Sequence, residues 1–453
     1  MKFVPAPGWK LAVVITLAAC VACSGGDSGG DDTSPTGDPD DDTDDDLIDD
    51  DLADDDVSDD DDDDDAGPTR PFRMAAAPMQ YAVEPYHVAT VFDFEGFDGR
   101  VDAVSLHMDS FFGVPWDQFA DGEDPPQAWI DTMNAAKSAA DALGVPIYLS
   151  ITPLDGNRTS LAPYTDVDGE GRLITVGGWS EPCYDFAAAP DAPQTREAYR
   201  NYLAYMIDLF EPDFFTHVIE MNLYNHFCDA GFDALIDFAN EMYDEARELA
   251  PSVPIFPTFV LEQLWDTGAF GPCELPDHDC LDAQLASIEG VRRDRFGISA
   301  YPMFFVDDPA QPPEGLFADV AAATGEQLVI SETGQSNRVI TQPIDDVCTP
   351  TFTFDDADES GFLEFLLAEA ETANADLVVW WSLVDFLPDG VLTECPCNYG
   401  LEWCAIYDAM DALGSGWLSA WLAWGSMGIF DYEHNPKTSA AIWDDWLAKS
   451  VGP

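Results

Sequence analysis

The sequence predicts a (β/α)8 barrel, and three observations carry that prediction. Short apolar runs alternate with helical patterns across residues 69–453, which is how a parallel sheet with crossover helices reads in sequence. There are eight such runs. Two of them break off on a carboxylate: HVIEMN (His217–Asn222) at Glu220, and LVISETG (Leu328–Gly334) at Glu332. A buried parallel strand ending on a charged residue puts a polar group at the rim of the sheet. In this fold the C-terminal rim is where chemistry is done.

The elements follow in order. The expected strands are Val88–Phe94, Ala103–Met108, Pro146–Ile151, His217–Met221, Ile255–Phe259, Phe296–Ala300, Gln327–Ser331 and Leu377–Trp381. Each is short, apolar and bounded by turn residues or charges. Amphipathic helices are expected between them. Ala128–Leu143 stops at Gly144, Thr195–Phe210 follows a Pro-Gln entry, and Phe232–Ala250 stops at Pro251. Ser360–Ala373 precedes the eighth strand and Thr438–Ser450 closes the barrel. One irregularity is plain: Glu95–Val101, between the first two strands, is too short for a helix. Either the first crossover is degenerate, or Val88–Phe94 is a plug and the barrel closes differently.

Two segments precede this body. Residues 1–23 read as an export signal, with Lys2 and Lys10 before an apolar core, Leu11–Ala19, too short to span a bilayer. Leu17-Ala18-Ala19-Cys20 resembles the lipobox of bacterial lipoproteins, which implies cleavage before Cys20 and diacylation of its thiol; an ordinary cleaved signal is the alternative. Residues 24–68 hold 23 aspartates and no Lys or Arg. Charge this dense repels itself and buries too little apolar surface to fold, so a disordered linker is expected. Its run Asp59–Asp65 lacks the ligand spacing of a calcium loop. The organisation expected is an exported chain, lipid-anchored to a bacterial membrane, with one catalytic body over 69–453.

Removing the linker's 23 aspartates and the two leader lysines from the net charge of −71 leaves −50 on the body. Such a surface excludes nucleic acid and anionic membrane as partners, and a monomer is expected. Eight cysteines lie in the body, an even number behind an export signal, which argues for disulfides rather than metal or redox chemistry. Cys183–Cys228 and Cys273–Cys280 are plausible pairs, and Cys395-Pro396-Cys397 has no histidine near it for a zinc site.

On this count Glu220 ends strand four and Glu332 ends strand seven, and a family resemblance becomes specific. The chain resembles the clan A glycoside hydrolases. Phe296-Gly297-Ile298-Ser299-Ala300-Tyr301-Pro302 is similar to the strand-six segment of the family 53 endo-galactanases. Ser331-Glu332-Thr333-Gly334 resembles their nucleophile strand, and Trp380-Trp381-Ser382 their eighth strand. Gly428-Ile429-Phe430-Asp431, Pro436-Lys437 and Trp443 resemble the return into the last barrel helix. The resemblance implies Glu220 as acid/base, Glu332 as nucleophile, Tyr301 holding Glu332 by a hydrogen bond, and Trp381 as the floor beneath the sugar. No cofactor and no metal are implied.

The chemistry stands apart from the name. Retaining glycosidases place two carboxyls about 5 Å apart, where repulsion keeps one protonated as acid while the other attacks. His107 and Asp109 after the second strand, and Asn222 and Asn225 after the fourth, are candidates for sugar hydroxyls. Trp116, Trp179, Trp265 and Trp403 are candidate subsite rings, whereas Trp417, Trp421 and Trp424 fall on one helix face and are expected in the core. The chain departs from the clan at Ile219, where an asparagine normally precedes the acid/base. Asn222 stands two residues beyond Glu220. The primary expectation is a retaining hydrolase of β-linked polysaccharide; the alternative is an inactive barrel that captures glycans at the cell surface.

Overall fold

The fold is taken from a computed structural model, which describes residues 68–452 apart from 85–86, 109–111, 168–172, 177–181, 345–346 and 394–414. Eight strands wind parallel around a barrel: β1 (Arg73–Ala76), β2 (Ala103–Met108), β3 (Ile147–Ile151), β4 (Phe214–Thr216), β5 (Ile255–Phe256 and Thr258–Val260, interrupted at Pro257), β6 (Phe296–Ala300), β7 (Leu328–Thr333) and β8 (Leu377–Trp380). Each pairs with its neighbours in sequence, and β8 pairs with β1. Proline has no N–H to give a ladder, so Pro257 splits β5. Its first half pairs with β4 and its second with β6, and Thr258 N–H donates to Val218 O at 2.9 Å across the join. The (β/α)8 expectation holds.

The first strand does not lie where the sequence placed it. Arg73–Ala76 is β1, while the Val88–Phe94 run falls in an antiparallel hairpin, Met79–Glu84 with His87–Asp93. RMAA carries no β-branched residue and an arginine, so periodicity passes over it; pairing with β2 and β8 makes it a strand. The short Glu95–Val101 gap follows, because no crossover helix is needed there. Strand four also shifts. It ends at Thr216, the chain bends over 217–220, and a helix starts at Met221. Five expected helices are present as Gln127–Leu143, Ala192–Phe210, Phe232–Leu249, Asp356–Thr372 and Ser439–Leu447. Asp355 and Asp358 form a capping box on the fourth of these.

Side chains alternate along a regular strand, and outside the β7 bulge this parity decides what enters the barrel. In β2 the residues Val104, Leu106 and Met108 face the helices, leaving Ala103, Ser105 and His107 for the interior. The lower interior is apolar, built from Ala75, Ala103, Tyr148, Phe214, Phe256, Val329, Leu377 and Val379. Tyr148 stacks on Phe256 with ring centres 5.9 Å apart. Gly297 makes room for this layer, since a Cβ there would lie 2.8 Å from the Phe256 ring. Above it the inward residues turn polar: His107, Ser150, Thr216, Ser299 and Glu332. Among the described residues, the disulfides Cys183–Cys228 and Cys273–Cys280 tie the segments that follow β3, β4 and β5, as expected.

Candidate active site

Parity alone would hide Glu332. Val329 faces inward, so Ser331 should follow it and Glu332 should face the helices. A bulge intervenes: Ile298 pairs with Ile330, but the next residue of β6, Ser299, pairs with Glu332. The extra residue, Ser331, donates its hydroxyl to Ile298 O at 2.7 Å, and Glu332 turns inward. There Tyr301 donates its hydroxyl to Glu332 Oε1, and His107 Nε2 lies 3.2 Å from Oε2. Burial, then the charge of Glu332, pushes the Tyr301 hydroxyl far above its ordinary range, so it stays a donor. The Trp381 ring meets His107 edge-on at 5.5 Å. Its Nε1–H is buried without a partner among the described residues.

Glu220 sits where the chain leaves β4 and begins a helix, in left-handed backbone at φ 52°. Its N–H donates to Thr258 Oγ1 at 2.8 Å. Ser299 Oγ donates to its Oε1 at 2.6 Å, while Arg158 Nε and Nη2 reach Oε2 at 3.0 and 2.9 Å. Arg158 is itself buried, on a turn tied by Asp155, whose carboxylate accepts the N–H of Thr159 and Ser160. Burial pushes the Asp155 carboxyl up.

A third carboxyl, Glu262, was not anticipated. It stands one residue into the short helix Leu261–Leu264 that follows β5, and its Oε1 accepts the Tyr301 N–H at 2.7 Å. Desolvation, and then the charges of Glu220 and Glu332, push it up to about 8. The signal that found the other two was there: Thr258-Phe259-Val260-Leu261-Glu262 is also an apolar run ending on a carboxylate. Arg158 left no comparable signal, being one basic residue in a polar loop.

Glu220, Glu262, Ser299 and Tyr301 line a cavity of about 170 Å3 whose walls include Phe227, Phe270, Phe304, Phe305 and Trp424. Aromatic walls with a few convergent polar groups are the usual make-up of a small-ligand site. Trp424 was expected in the core; it lines this cavity instead, its ring 5.7 Å from Tyr301, while Trp421 is buried as expected.

The other candidates fall elsewhere. Asn222 spends its amide on the backbone of Val260, donating to O at 3.0 Å and accepting N–H at 2.7 Å. With the helix starting at Met221, Asn225 points to Ser287 Oγ at 3.4 Å. Trp265 is fully buried and donates to Leu316 O at 3.1 Å, so it is packing, not a subsite. Asp109, Trp179 and Trp403 lie outside the described residues. Trp116 is buried and donates to Ala162 O at 2.8 Å.

No family model matches the chain, and no curated protein does. Solved structures do. A GH53 catalytic domain of Ignisphaera aggregans is 13% identical over 77% of this chain and 86% of its own, with a TM-score of 0.44. An exo-beta-1,4-mannosidase of Opitutaceae bacterium strain TAV5 is 12% identical over 85% of this chain and 61% of its own, at 0.49. The chain spans only 31% of a Bacteroides uniformis beta-glucuronidase, at 12% identity and 0.41. Likenesses this slight add nothing to what the strand order establishes.

Proposed function

We propose that the chain is a retaining glycoside hydrolase of β-linked polysaccharide, with Glu332 as nucleophile and a carboxyl of the cavity as proton donor. Galactan-like or glucan chains are the substrate class. The observation that carries this reading is the setting of Glu332. A nucleophilic carboxylate must be held at a fixed angle and kept charged, and Tyr301 and His107 face one oxygen each. Glu220, the carboxyl that follows β4, takes the acid/base position that the resemblance implies. Trp381 and Trp424 offer the rings on which a sugar face stacks. In the same reading the chain is exported and held to a bacterial membrane by a lipid on Cys20, acting as a monomer. Among the described residues no helix is long and apolar enough to cross a membrane.

A second reading has one observation in its favour. Both Glu220 oxygens are already engaged, by Arg158 and Ser299, which suits a barrel that captures glycans without cleaving them. A panel of β-glycans with the wild type, Glu332→Gln and Glu220→Gln separates the two. Release of reducing ends by the wild type, lost in both variants, supports the hydrolase. Binding without release, unchanged in either variant, sinks it.

A further inference from the structure

The cavity beside Glu220 is lopsided. Glu220, Ser299 and Tyr301 line it, while among the described residues Glu332, His107 and Trp381 stand outside its walls. It therefore lies on the proton donor's side, away from the nucleophile. In a retaining mechanism the departing group is the one beside the donor, so this is where that group sits. The walls suit something other than a sugar. Phe227 and Leu223 follow β4, Val260 ends β5 and Phe270 follows it, and Phe304 and Phe305 follow β6. The four phenylalanines are only half-buried. His226 packs edge-on against Phe227 at 4.7 Å and Phe270 at 5.3 Å, and Phe352 backs Phe304 at 5.6 Å. The Cys183–Cys228 disulfide ties down the residue next to Phe227. These rings are in place before anything binds, which favours a rigid apolar guest. The polar groups, by contrast, are engaged with one another. Ser299 donates to Glu220, Tyr301 donates to Glu332, and Glu262 accepts the Tyr301 N–H. A sugar in the cavity would give up its water for little beyond Asn157 and Thr267, and buried hydroxyls without partners cost free energy. An aromatic ring needs none. The volume of about 170 Å3 also matches one ring, since an apolar cavity of about 150 Å3 admits benzene.

We propose that this cavity takes a single aromatic ring as the departing group, which adds β-glycosides of simple phenols to the sugar chains named above. The proposal rests on the hydrolase reading and keeps its two carboxyls in their roles. A Glu332 oxygen closes on the anomeric carbon, the bond from that carbon to the phenolic oxygen breaks, and the oxygen takes the Glu220 proton. Water then displaces Glu332 and returns a proton to Glu220. A phenol and a free sugar leave, and both residues are restored.

The test varies the departing group on one sugar. The probes are the phenyl β-glycosides and β-glycosyl fluorides of galactose, glucose and mannose, with the β-1,4-linked disaccharide of each. Fluoride is too small to reach the cavity walls, so kcat/KM on it reads the reacting centre without them. In Phe270→Ala the ratio of kcat/KM on the phenyl glycoside to that on the fluoride should fall about 10–100-fold, the worth of one lost ring contact. The ratio for the disaccharide should fall less. Ala269→Trp, which fills the cavity from an exposed position on its wall, should lower the phenyl ratio too. A phenyl ratio unchanged in either variant, or a disaccharide ratio that falls as far as the phenyl ratio in Phe270→Ala, overturns the proposal and leaves the hydrolase reading standing. A wild type inert on all the probes, or a Glu332→Gln variant as active on the fluoride as the wild type, overturns that reading and this proposal with it.

Discussion

Glu262→Gln should make the protein more stable, and more so as pH rises. The side chain is buried and its carboxyl is lifted from 4.5 to about 8 in the folded state. Below 4.5 both folded and unfolded forms carry the proton, and the group contributes no pH dependence. Between 4.5 and about 8 the folded form binds a proton that the unfolded form has released, so stability falls as pH rises through this window. Above it the full cost of a buried carboxylate is present. A shift from 4.5 to about 8, at about 1.4 kcal/mol per unit, sets a ceiling of about 5 kcal/mol. Glutamine keeps the shape and the acceptor for Tyr301 N–H and carries no charge to desolvate. Urea unfolding of both proteins at pH 5, 6, 7 and 8, with disulfides intact, reads the difference directly. Every other titrating group, the acidic surface included, is common to both and cancels. The stability gap should be small at pH 5 and widen to a few kcal/mol by pH 8, by about 1 kcal/mol per unit. A gap that stays flat, or narrows, refutes the assignment of Glu262 as a buried neutral acid.

Two further outcomes test the frame around the site. Gly297→Ala should cost about 1–3 kcal/mol, seen as a lower urea midpoint, because its Cβ would fall 2.7 Å from Pro257 O and 2.8 Å from the Phe256 ring. Lys437 is buried with Asp385 at 2.8 Å and Glu359 at 3.7 Å. Lys437→Met strands those carboxylates and should cost about 3–5 kcal/mol at pH 8. Burial lifts Asp385 to about 6 and Glu359 to about 7 even with the lysine present, so the loss should shrink at pH 5, where both take up protons; a loss as large at pH 5 as at pH 8 argues that the ion pair is not its source.

Much of the barrel was legible because buried parallel strands are apolar throughout, and six of the eight runs fall on the observed strands. The misses share a cause. Arg73–Ala76 is a strand only because β2 and β8 pair with it, and the ladder partner of a short segment is invisible in its own residues. Strand four stops early because Glu220 takes left-handed backbone and gives its N–H to Thr258, a residue 38 positions away. At the site, Glu332 and Tyr301 were found from their places at strand ends and from the resemblance. Asn222, Asn225 and Trp265 were chosen by type, and a side chain's type does not say whether backbone will claim it first. Glu262 was passed over because the fifth strand reads in sequence as ending at Phe259, three residues short of it.

The stacked rings of Tyr148 and Phe256 matter beyond filling space. With their apolar neighbours they form a layer beneath the inward polar residues. Gly297 of β6 lies against that layer, and two residues further along the same strand Ser299 donates to Glu220. The packing of the two rings therefore sets the seat of the strand that positions Glu220.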